Sequence, residues 1–250
     1  MNPPKNVIEQ IHQMFAKFFW GSTGSLKRKH WVAWEDMCIP KKEGGLGFRS
    51  LHAVNNALFA KLWWNFRTST SLWSNYMGNK YCKKRHPIVS RSVGATHVWK
   101  KMVAIREEVE HEIWWQLKAG TSSFWFDNLT KQGTLFYTEG ESARDEEIEV
   151  KEFIEEGSWK REKLRNYLSE EMTEHIVINV LPCTSEMNDK AWWMGSSVGN
   201  FTVKSAFHLV RHKREQIDYC RNIWIKKLPL KISFFFYGKS GKKELPLMII

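Results

Sequence analysis

Two-metal nucleotidyl transfer or nuclease chemistry requires clustered carboxylates, and the aspartates of this chain are scattered. Such sites hold two ions about 4 Å apart between carboxylate ligands. The sequence contains five aspartates, each of them isolated: Asp36, Asp127, Asp145, Asp189 and Asp218. The glutamates concentrate in stretches typical of a charged, solvated face. We therefore expect no carboxylate–metal active site.

Metal-ligating and nucleophilic side chains are also dispersed. A structural zinc site needs two close Cys/His pairs, and the nearest approach is Cys82 with His86, which the distant Cys183 and Cys220 do not complete. The widely spaced cysteines predict reduced, mostly buried thiols, as is usual in intracellular proteins. Residues 238–242 (GKSGK) lack the spacing and the preceding strand of a phosphate-binding loop. The sequence thus predicts no metal and no cofactor.

The distribution of charge is the feature that favours a function. The formal net charge of +11 divides into +14 for residues 1–106, −11 for residues 107–188 and +8 for residues 189–250. Cations neutralise phosphates, and neighbouring aromatic rings stack on bases. We therefore predict a sequence-tolerant contact with RNA or DNA through eight residues: Lys27, Arg28, Lys29, Lys41, Lys42, Lys83, Lys84 and Arg85.

Two other interpretations of the charged and aromatic residues stay open. The acidic middle of the chain could pack beside the basic segments and neutralise them within the molecule. Trp31 and Trp34, which lie between the predicted contact residues, could be core side chains, and we favour that role for both.

Apolar side chains at helical spacing predict the elements that would position these residues. Helices are expected over residues 7–19, 51–66 and 98–109, where apolar side chains recur every three or four positions. The glycines of residues 44–47 predict a turn that needs positive φ. Residues 68–96 carry no clear period and are expected to be irregular.

The second half of the chain predicts two hairpins and two closing helices. A Trp doublet, a glycine-containing turn and an aromatic stretch follow one another over residues 113–127 and again over residues 191–203. The closing helices are expected over residues 204–210 and 216–227. The Glu-rich residues 139–174 are expected to form a solvated, partly mobile linker.

The fold class expected from these elements is α+β. It is helix-dominated, with two small antiparallel β-hairpins and a disordered C-terminal tail from Tyr237. Residues 1–106 and 107–236 are expected to form two loosely associated units. No apolar run approaches the roughly 20 residues of a membrane span, so we expect an intracellular protein with no membrane partner.

Several short motifs in a consistent order resemble one protein family. They occur at residues 18–21 (FFWG), 29–35 (KHWVAWE), 38–48 (CIPKKEGGLGF), 56–63 (NALFAKLW), 113–120 (IWWQLKAG), 124–126 (FWF), 199–206 (GNFTVKSA) and 223–236 (IWIKKLPLKISFFF). This order is similar to the region downstream of the polymerase in plant LINE-type (non-LTR) retrotransposon proteins. Its last part resembles the start of the reverse-transcriptase zinc-binding domain, which is found in ribonuclease H-like proteins.

The resemblance implies a domain organisation. Residues 1–106 would be a basic helical connector that follows the polymerase, residues 107–188 a hairpin with the acidic linker, residues 189–236 the start of the zinc-binding domain, and residues 237–250 a divergent tail. In the family the zinc ligands follow the Phe-rich helix, where this sequence diverges at Tyr237 and Gly238. The resemblance therefore assigns no ligand to any residue of this chain.

The function implied by the resemblance is that of a retrotransposon-derived fragment that lacks both catalytic modules. We expect it to be inactive as an enzyme and to bind nucleic acid weakly and without sequence specificity. The alternative is a protein-interaction remnant that docks on a polymerase or nuclease. In that case the acidic middle and an exposed Phe-rich helix would make the contact, through Phe234, Phe235 and Phe236.

Overall fold

The computed structural model describes residues 3–22, 28, 30–83, 85–139, 147–182 and 186–216. The chain divides into two compact units, one made of Met1–Asn55 with Arg211–Ile250 and one made of Asn56–Val210. The predicted α+β class is confirmed, with helices dominant and two small antiparallel sheets of two strands each. The domain boundaries that the resemblance implies stay a prediction. No helix in the described part of the chain is long and apolar enough to cross a bilayer.

The first unit begins with the predicted amphipathic helix. Helix α1 (Lys5–Phe19) buries Ile8, His12 and Ala16, which recur every four residues along one face. The Nε2 atom of the buried His12 accepts a hydrogen bond from the backbone N–H of Leu51 at 3.0 Å. A short helix α2 (Trp34–Met37) and a 3₁₀ turn (Lys41–Glu43) follow.

A small aromatic cluster forms the core of the first unit. Buried Val32 and Met37 are packed against partly buried side chains that include Trp34 and Phe48, whose rings stack with centroids 5.3 Å apart. Trp34 thus has the predicted core role. The same prediction is wrong for Trp31, which is 49% exposed, because the chain turns between the two residues before α2 begins.

The glycine cluster forms the predicted turn. Gly44 and Gly47 have φ values of 98° and 81°. The backbone N–H of Gly47 donates to the carbonyl oxygen of Ile39 at 2.8 Å, and that of Leu46 donates to Met37 at 3.1 Å. The cluster therefore folds the chain back onto the residues that follow α2, as the positive φ values allow.

Helices dominate the second unit. The chain crosses into it within α3 (Leu51–Thr68), and α5 (His97–Val109) buries Trp99, Met102, Ile105 and Val109 at the predicted helical spacing. Residues 68–96 were expected to be irregular, and that expectation is wrong. They contain α4 (Leu72–Met77), a π-helical turn (Gly78–Cys82) and a 3₁₀ turn (Pro87–Val89), elements too short to show a hydrophobic period. Later helices are α6 (Leu135–Thr138), α7 (Arg161–Arg165), α8 (Glu170–Asn179) and the predicted α9 (Val203–Val210).

The strand pairing differs from the two predicted hairpins. Strand β1 (Ile113–Gln116) pairs antiparallel with β4 (Lys190–Trp193), with Ile113 opposite Trp193. The two predicted hairpins over residues 113–127 and 191–203 therefore each contribute their first strand to one shared sheet. The second sheet is a local hairpin of β2 (Ile154–Glu155) and β3 (Ser158–Trp159).

Asp189 explains why residues 118–122 do not form a hairpin turn. Its carboxylate accepts hydrogen bonds from the backbone N–H groups of Lys118, Gly120 and Ser122 at 2.6, 2.9 and 2.8 Å. It also accepts one from the hydroxyl of Ser122 at 2.6 Å. Because these donors turn toward the residue that precedes β4, the chain after β1 is tied to β4 and cannot close on residues 123–127.

Replacing Asp189 with alanine should lower the free energy of unfolding by about 1.5–3 kcal/mol, because four donors lose a charged acceptor. Asp189→Asn keeps one acceptor oxygen and should lie between alanine and the wild type. The matched control is Glu186→Ala, an exposed acidic residue in the same connection, with an expected change of about 0.5 kcal/mol or less. Urea unfolding followed by tryptophan fluorescence checks the order, and equal effects of the two alanine variants would contradict the role of Asp189.

The acidic stretch is part of the folded core, and the expectation of a solvated linker over residues 139–174 is wrong from residue 150 onward. Val150, Phe153 and Leu164 are fully buried. The Phe153 ring stacks on Phe124 with centroids 3.9 Å apart. These apolar side chains lie between glutamates, so the composition of the stretch hides its buried face.

Two hydrophobic clusters fill the second unit. One is built on α3, α5, the β1–β4 sheet and α9, with Trp63, Trp99 and Trp193 fully buried. The other contains Phe124–Phe126 together with the buried side chains of residues 150–180. The predicted helix at 216–227 and the predicted disordered tail lie outside the described residues, apart from residue 216.

Candidate nucleic-acid interface

Exposed aromatic rings and cations lie together on the segment that follows α3. Helix α4 is capped by Ser71, whose Oγ accepts from the backbone N–H of Ser74 at 3.2 Å. Trp73 and Tyr76 on this helix are 36% and 56% exposed. Lys80, one turn further, donates from Nζ to the Tyr76 hydroxyl at 3.1 Å. The Nζ atom also lies 5.4 Å from the centroid of the Tyr76 ring and 5.3 Å from that of Tyr81.

The core of the second unit holds this segment in place. Tyr81 stacks on the buried Trp99 with centroids 4.6 Å apart, and its hydroxyl lies 2.9 Å from Oγ1 of Thr96. The backbone N–H of Lys83 donates to the carbonyl of Gly78 at 2.9 Å. The π-helical turn ends at this residue, which has a positive φ of 56°. Burial raises the pKa of the Cys82 thiol to about 11, so this cysteine is protonated and not reactive at neutral pH.

In the described part of the chain, the cations of this segment have no carboxylate partner. No Asp or Glu occurs between Glu43 and Glu107. Within the described residues, Lys80, Lys83 and Arg85 form no ion pair with a carboxylate. The glutamates of the acidic stretch form ion pairs with its own lysines and arginines instead: Lys151–Glu149, Lys160–Glu155, Arg161–Glu174, Lys163–Glu152, Arg165–Glu162 and Arg165–Glu170. Ion pairs among the described residues therefore do not neutralise Lys80, Lys83 and Arg85.

We use the term aromatic–cationic segment for Trp73, Tyr76, Lys80, Lys83 and Arg85. The hydrogen bond to Tyr76 raises the pKa of Lys80, so its ammonium group stays charged at neutral pH. Lys83 and Arg85 are exposed. Within the described residues, the segment thus offers what sequence-tolerant binding of a phosphate backbone requires, namely cations without carboxylate partners and accessible aromatic rings.

The predicted contact residues are divided between the two units. Arg28, Lys41 and Lys42 are exposed in the first unit, where the backbone N–H of Arg28 donates to Oγ of Ser22 at 3.1 Å. Lys83 and Arg85 belong to the second unit. Lys27, Lys29 and Lys84 lie outside the described residues. The contact role of all eight stays a prediction.

Sequence reasoning missed the aromatic half of this segment. Trp73, Tyr76 and Lys80 follow one another at spacings of three and four, which places them on one helical face. The signal is present in the sequence but short, because α4 and the π-helical turn together span only residues 72–82.

Buried carboxylates of the second unit serve an ion-pair network. The guanidinium of Arg67 donates from Nε to Oε1 of Glu110 at 3.0 Å and from Nη2 to Oδ1 of Asp127 at 2.5 Å. Trp63 donates from its indole Nε1 to the other oxygen of Glu110 at 2.5 Å. Across the described residues, no group of three or more His, Cys, Asp and Glu side chains could hold a metal ion. These carboxylates thus bind protein donors.

The network shifts the pKa values of its members. Burial disfavours the charged form of Asp127, but the opposing charge of Arg67 and the contact with His86 outweigh it and lower the pKa of Asp127 to about 2. Burial and the charge of Arg67 lower the pKa of His86 below its usual 6.5, although Asp127 acts in the other direction. His86 is therefore neutral at pH 7, with its Nε2 3.6 Å from Oδ1 of Asp127.

These shifts predict that the second unit loses stability in acid in two stages. Because both groups bind protons more weakly in the folded chain than in the unfolded chain, unfolding takes up protons as the pH falls. The contribution of His86 is lost first, below pH 6.5. That of Asp127, about 2 kcal/mol, is lost between pH 3.8 and 2. Urea midpoints measured from pH 8 to pH 2 check this. His86→Gln should flatten the first stage, and a midpoint that rises on acidification would contradict the assignment.

Comparison with known proteins gives two relatives, both from Arabidopsis thaliana. A protein named "Putative ribonuclease H protein" is 26% identical over 249 residues, which are 94% of this chain and 40% of that protein. A protein named "Uncharacterized mitochondrial protein" is 30% identical over 109 residues, which are 41% of this chain and 69% of that protein. The chain belongs to the family of this mitochondrial protein. No family model and no solved structure matches it.

The two relatives agree with the coarser part of the resemblance, which is similarity to plant ribonuclease H-like proteins. Both relatives are plant proteins, and the longer one carries the name of a ribonuclease H protein. The chain spans two fifths of that relative's length. The activity, substrates and partners of the longer protein are therefore only proposals for this chain.

Proposed function

We propose that this chain is a plant retrotransposon-derived, ribonuclease H-like protein that binds nucleic acid without sequence specificity and catalyses no reaction of its own. We also propose its finer assignment, the region after a LINE-type polymerase, with residues 189–236 corresponding to the start of the reverse-transcriptase zinc-binding domain. The observation that carries the binding proposal is the aromatic–cationic segment. Within the described residues its cations lack carboxylate partners, and one of them, Lys80, lies beside the exposed ring of Tyr76.

The physical basis of binding is release of counterions together with stacking. Lys80, Lys83 and Arg85 would displace ions condensed on phosphates, which gives an affinity that falls as salt rises. Tyr76 and Trp73 would stack on unpaired bases, each stacked base being worth about 1–3 kcal/mol with little dependence on its type. Single strands should therefore bind more tightly than duplexes. Arg28, Lys41 and Lys42 would add phosphate contacts from the first unit.

Fluorescence anisotropy with labelled single-stranded RNA, single-stranded DNA and duplex DNA at about 50 mM salt tests the proposal. The triple variant K80Q/K83Q/R85Q should lose about tenfold or more of the affinity for all three probes. Tyr76→Ala should weaken binding of the single strands and leave that of the duplex nearly unchanged. The matched control is K151Q/K160Q/R165Q, which removes the same charge from cations that are paired with glutamates.

The control should bind as the wild type does. The absence of measurable affinity at low salt would contradict the proposal. Equal losses of affinity in the two triple variants would also contradict it, because the variants differ only in the position of the three cations.

Docking on another polypeptide is the less favoured function. Phe234, Phe235 and Phe236, which were expected to make that contact, lie outside the described residues. The acidic middle, which was also expected to take part, has many of its carboxylates engaged by its own lysines and arginines. The interaction with a polymerase or nuclease stays a prediction.

A further inference from the structure

A cleft of about 460 Å³ opens beside strand β1 in the second unit. Its walls are residues 114–117 of β1 and the following turn, residues 129–131, and the C-terminal end of α8 with the two residues after it. The volume lies in the range of sites that hold small organic ligands, which is about 300–1,000 Å³. None of its lining residues belongs to the aromatic–cationic segment.

One wall combines a fixed aromatic ring with a cation. Trp114 donates from its indole Nε1 to the carbonyl of Leu129 at 3.0 Å and meets Trp192 edge to face. The Nζ atom of Lys131 lies 4.0 Å from the centroid of the Trp114 ring. Lys131 is exposed and, within the described residues, has no ion pair with a carboxylate. The ammonium group therefore lies over the face of the ring, and because the lysine is exposed it can move aside when a flat, anionic ligand enters.

Polar side chains also line the cleft. The indole N–H of Trp115 and Nε2 of His175 are enclosed and have no hydrogen-bond partner in the described part of the chain. Asn179 donates from Nδ2 to the carbonyl of His175 at 3.0 Å, and Gln116 is exposed. Because the two enclosed atoms are buried, the polar groups that a ligand can reach are the exposed amides of Gln116 and Asn179, which suit donors and acceptors around its edge.

We propose that this cleft binds one nucleotide, with the base on the face of Trp114 that Lys131 vacates and the phosphate at the Lys131 ammonium group. A nucleotide contains a flat ring, an edge of hydrogen-bond donors and acceptors, and an anionic group. These three features match the aromatic ring, the polar side chains and the cation that line the cleft. The nucleotide is either a free mononucleotide or a unit of a single strand. The inference builds on the proposed nucleic-acid function but concerns other residues, so each can fail without the other.

The test uses the full-length chain with three probes: adenosine monophosphate, cytidine monophosphate and a single-stranded RNA of ten nucleotides. Saturation-transfer NMR detects the mononucleotides, and calorimetric titration gives the dissociation constants. Lys131→Glu reverses the charge at the ring. Leu181→Glu places a negative charge on the rim, at a side chain that is 85% exposed and lines the cleft. The control Lys190→Glu makes the same charge change as Lys131→Glu, at an exposed site on β4 outside the cleft.

The expected result is saturable binding of at least one probe that Lys131→Glu and Leu181→Glu each weaken by about fivefold or more, while Lys190→Glu leaves it unchanged. Binding of the RNA but not of the mononucleotides identifies a strand as the source, and equal binding per nucleotide identifies free nucleotides. The K80Q/K83Q/R85Q variant should keep its mononucleotide binding, even if the proposed function fails. No saturable binding of any probe, or equal losses in Lys131→Glu and Lys190→Glu, would overturn the inference.

Discussion

Replacing Arg67 with methionine should lower the free energy of unfolding of the second unit by about 3–5 kcal/mol. The guanidinium is the shared partner of Glu110 and Asp127, and all three side chains are less than 10% exposed. Methionine fills a similar space but leaves two carboxylates in the core without a cation. Urea unfolding followed by the fluorescence of the buried tryptophans Trp63, Trp99, Trp125 and Trp193 measures the loss.

Two further variants separate the ion-pair network from packing. The triple variant R67M/E110Q/D127N also replaces the two carboxylates that have lost their cation. It should regain part of the stability, because uncharged amides are less costly to bury than carboxylates. Arg165→Met removes an exposed arginine that also contacts two glutamates and should change stability by about 1 kcal/mol or less. If Arg67→Met were as mild as Arg165→Met, the network would not hold the unit together.

Replacing Gly45 with alanine should destabilise the first unit by about 2–4 kcal/mol. A Cβ atom at this position would lie 2.0 Å from the carbonyl oxygen of Ile39 and 2.6 Å from its Cγ1. The backbone of Ile39 would have to move, which disturbs the hydrogen bond that it accepts from Gly47. Hydrogen exchange of peptides covering residues 37–48 should show the loss as faster exchange.

Gly47→Ala is the matched control in the same turn. Gly47 has a positive φ of 81°, but a Cβ atom there meets nothing within 4 Å. Only the backbone conformation is then strained, at about 1–2 kcal/mol. Gly45→Ala should therefore be the more harmful change, although its φ is not positive. The opposite order would show that conformation rather than space decides the turn.

Helical periodicity predicted the main helices because each buries one face. Ile8 and Met102 are buried, as the spacing indicates. In α1, however, the apolar Phe15 and Phe18 are 43% and 88% exposed, because the helix turns His12 and Ala16 toward the core instead. The pairing of β1 with β4 was not accessible in this way, since its partners lie far apart in sequence and Asp189 enforces it through hydrogen bonds to distant backbone N–H groups.

Composition misled in the acidic stretch and helped at the candidate interface. Phe153 and Leu164 are core residues among glutamates, so a local charge count made their segment look solvated. Conversely, the lack of acidic residues between Glu43 and Glu107 in the sequence goes with exposed cations in this part of the chain. The accessible rings of Trp73 and Tyr76 required coordinates, because sequence does not show which aromatic side chains stay out of the core.

The salt dependence of nucleic-acid binding tests the central claim most directly. A plot of the logarithm of the association constant against the logarithm of salt concentration should be linear and negative for the wild type. In K80Q/K83Q/R85Q the slope should be shallower by about 2–3, close to one for each phosphate that the protein no longer neutralises. The K151Q/K160Q/R165Q control should keep the wild-type slope. Identical slopes in all three proteins would contradict a role for the aromatic–cationic segment in binding phosphates.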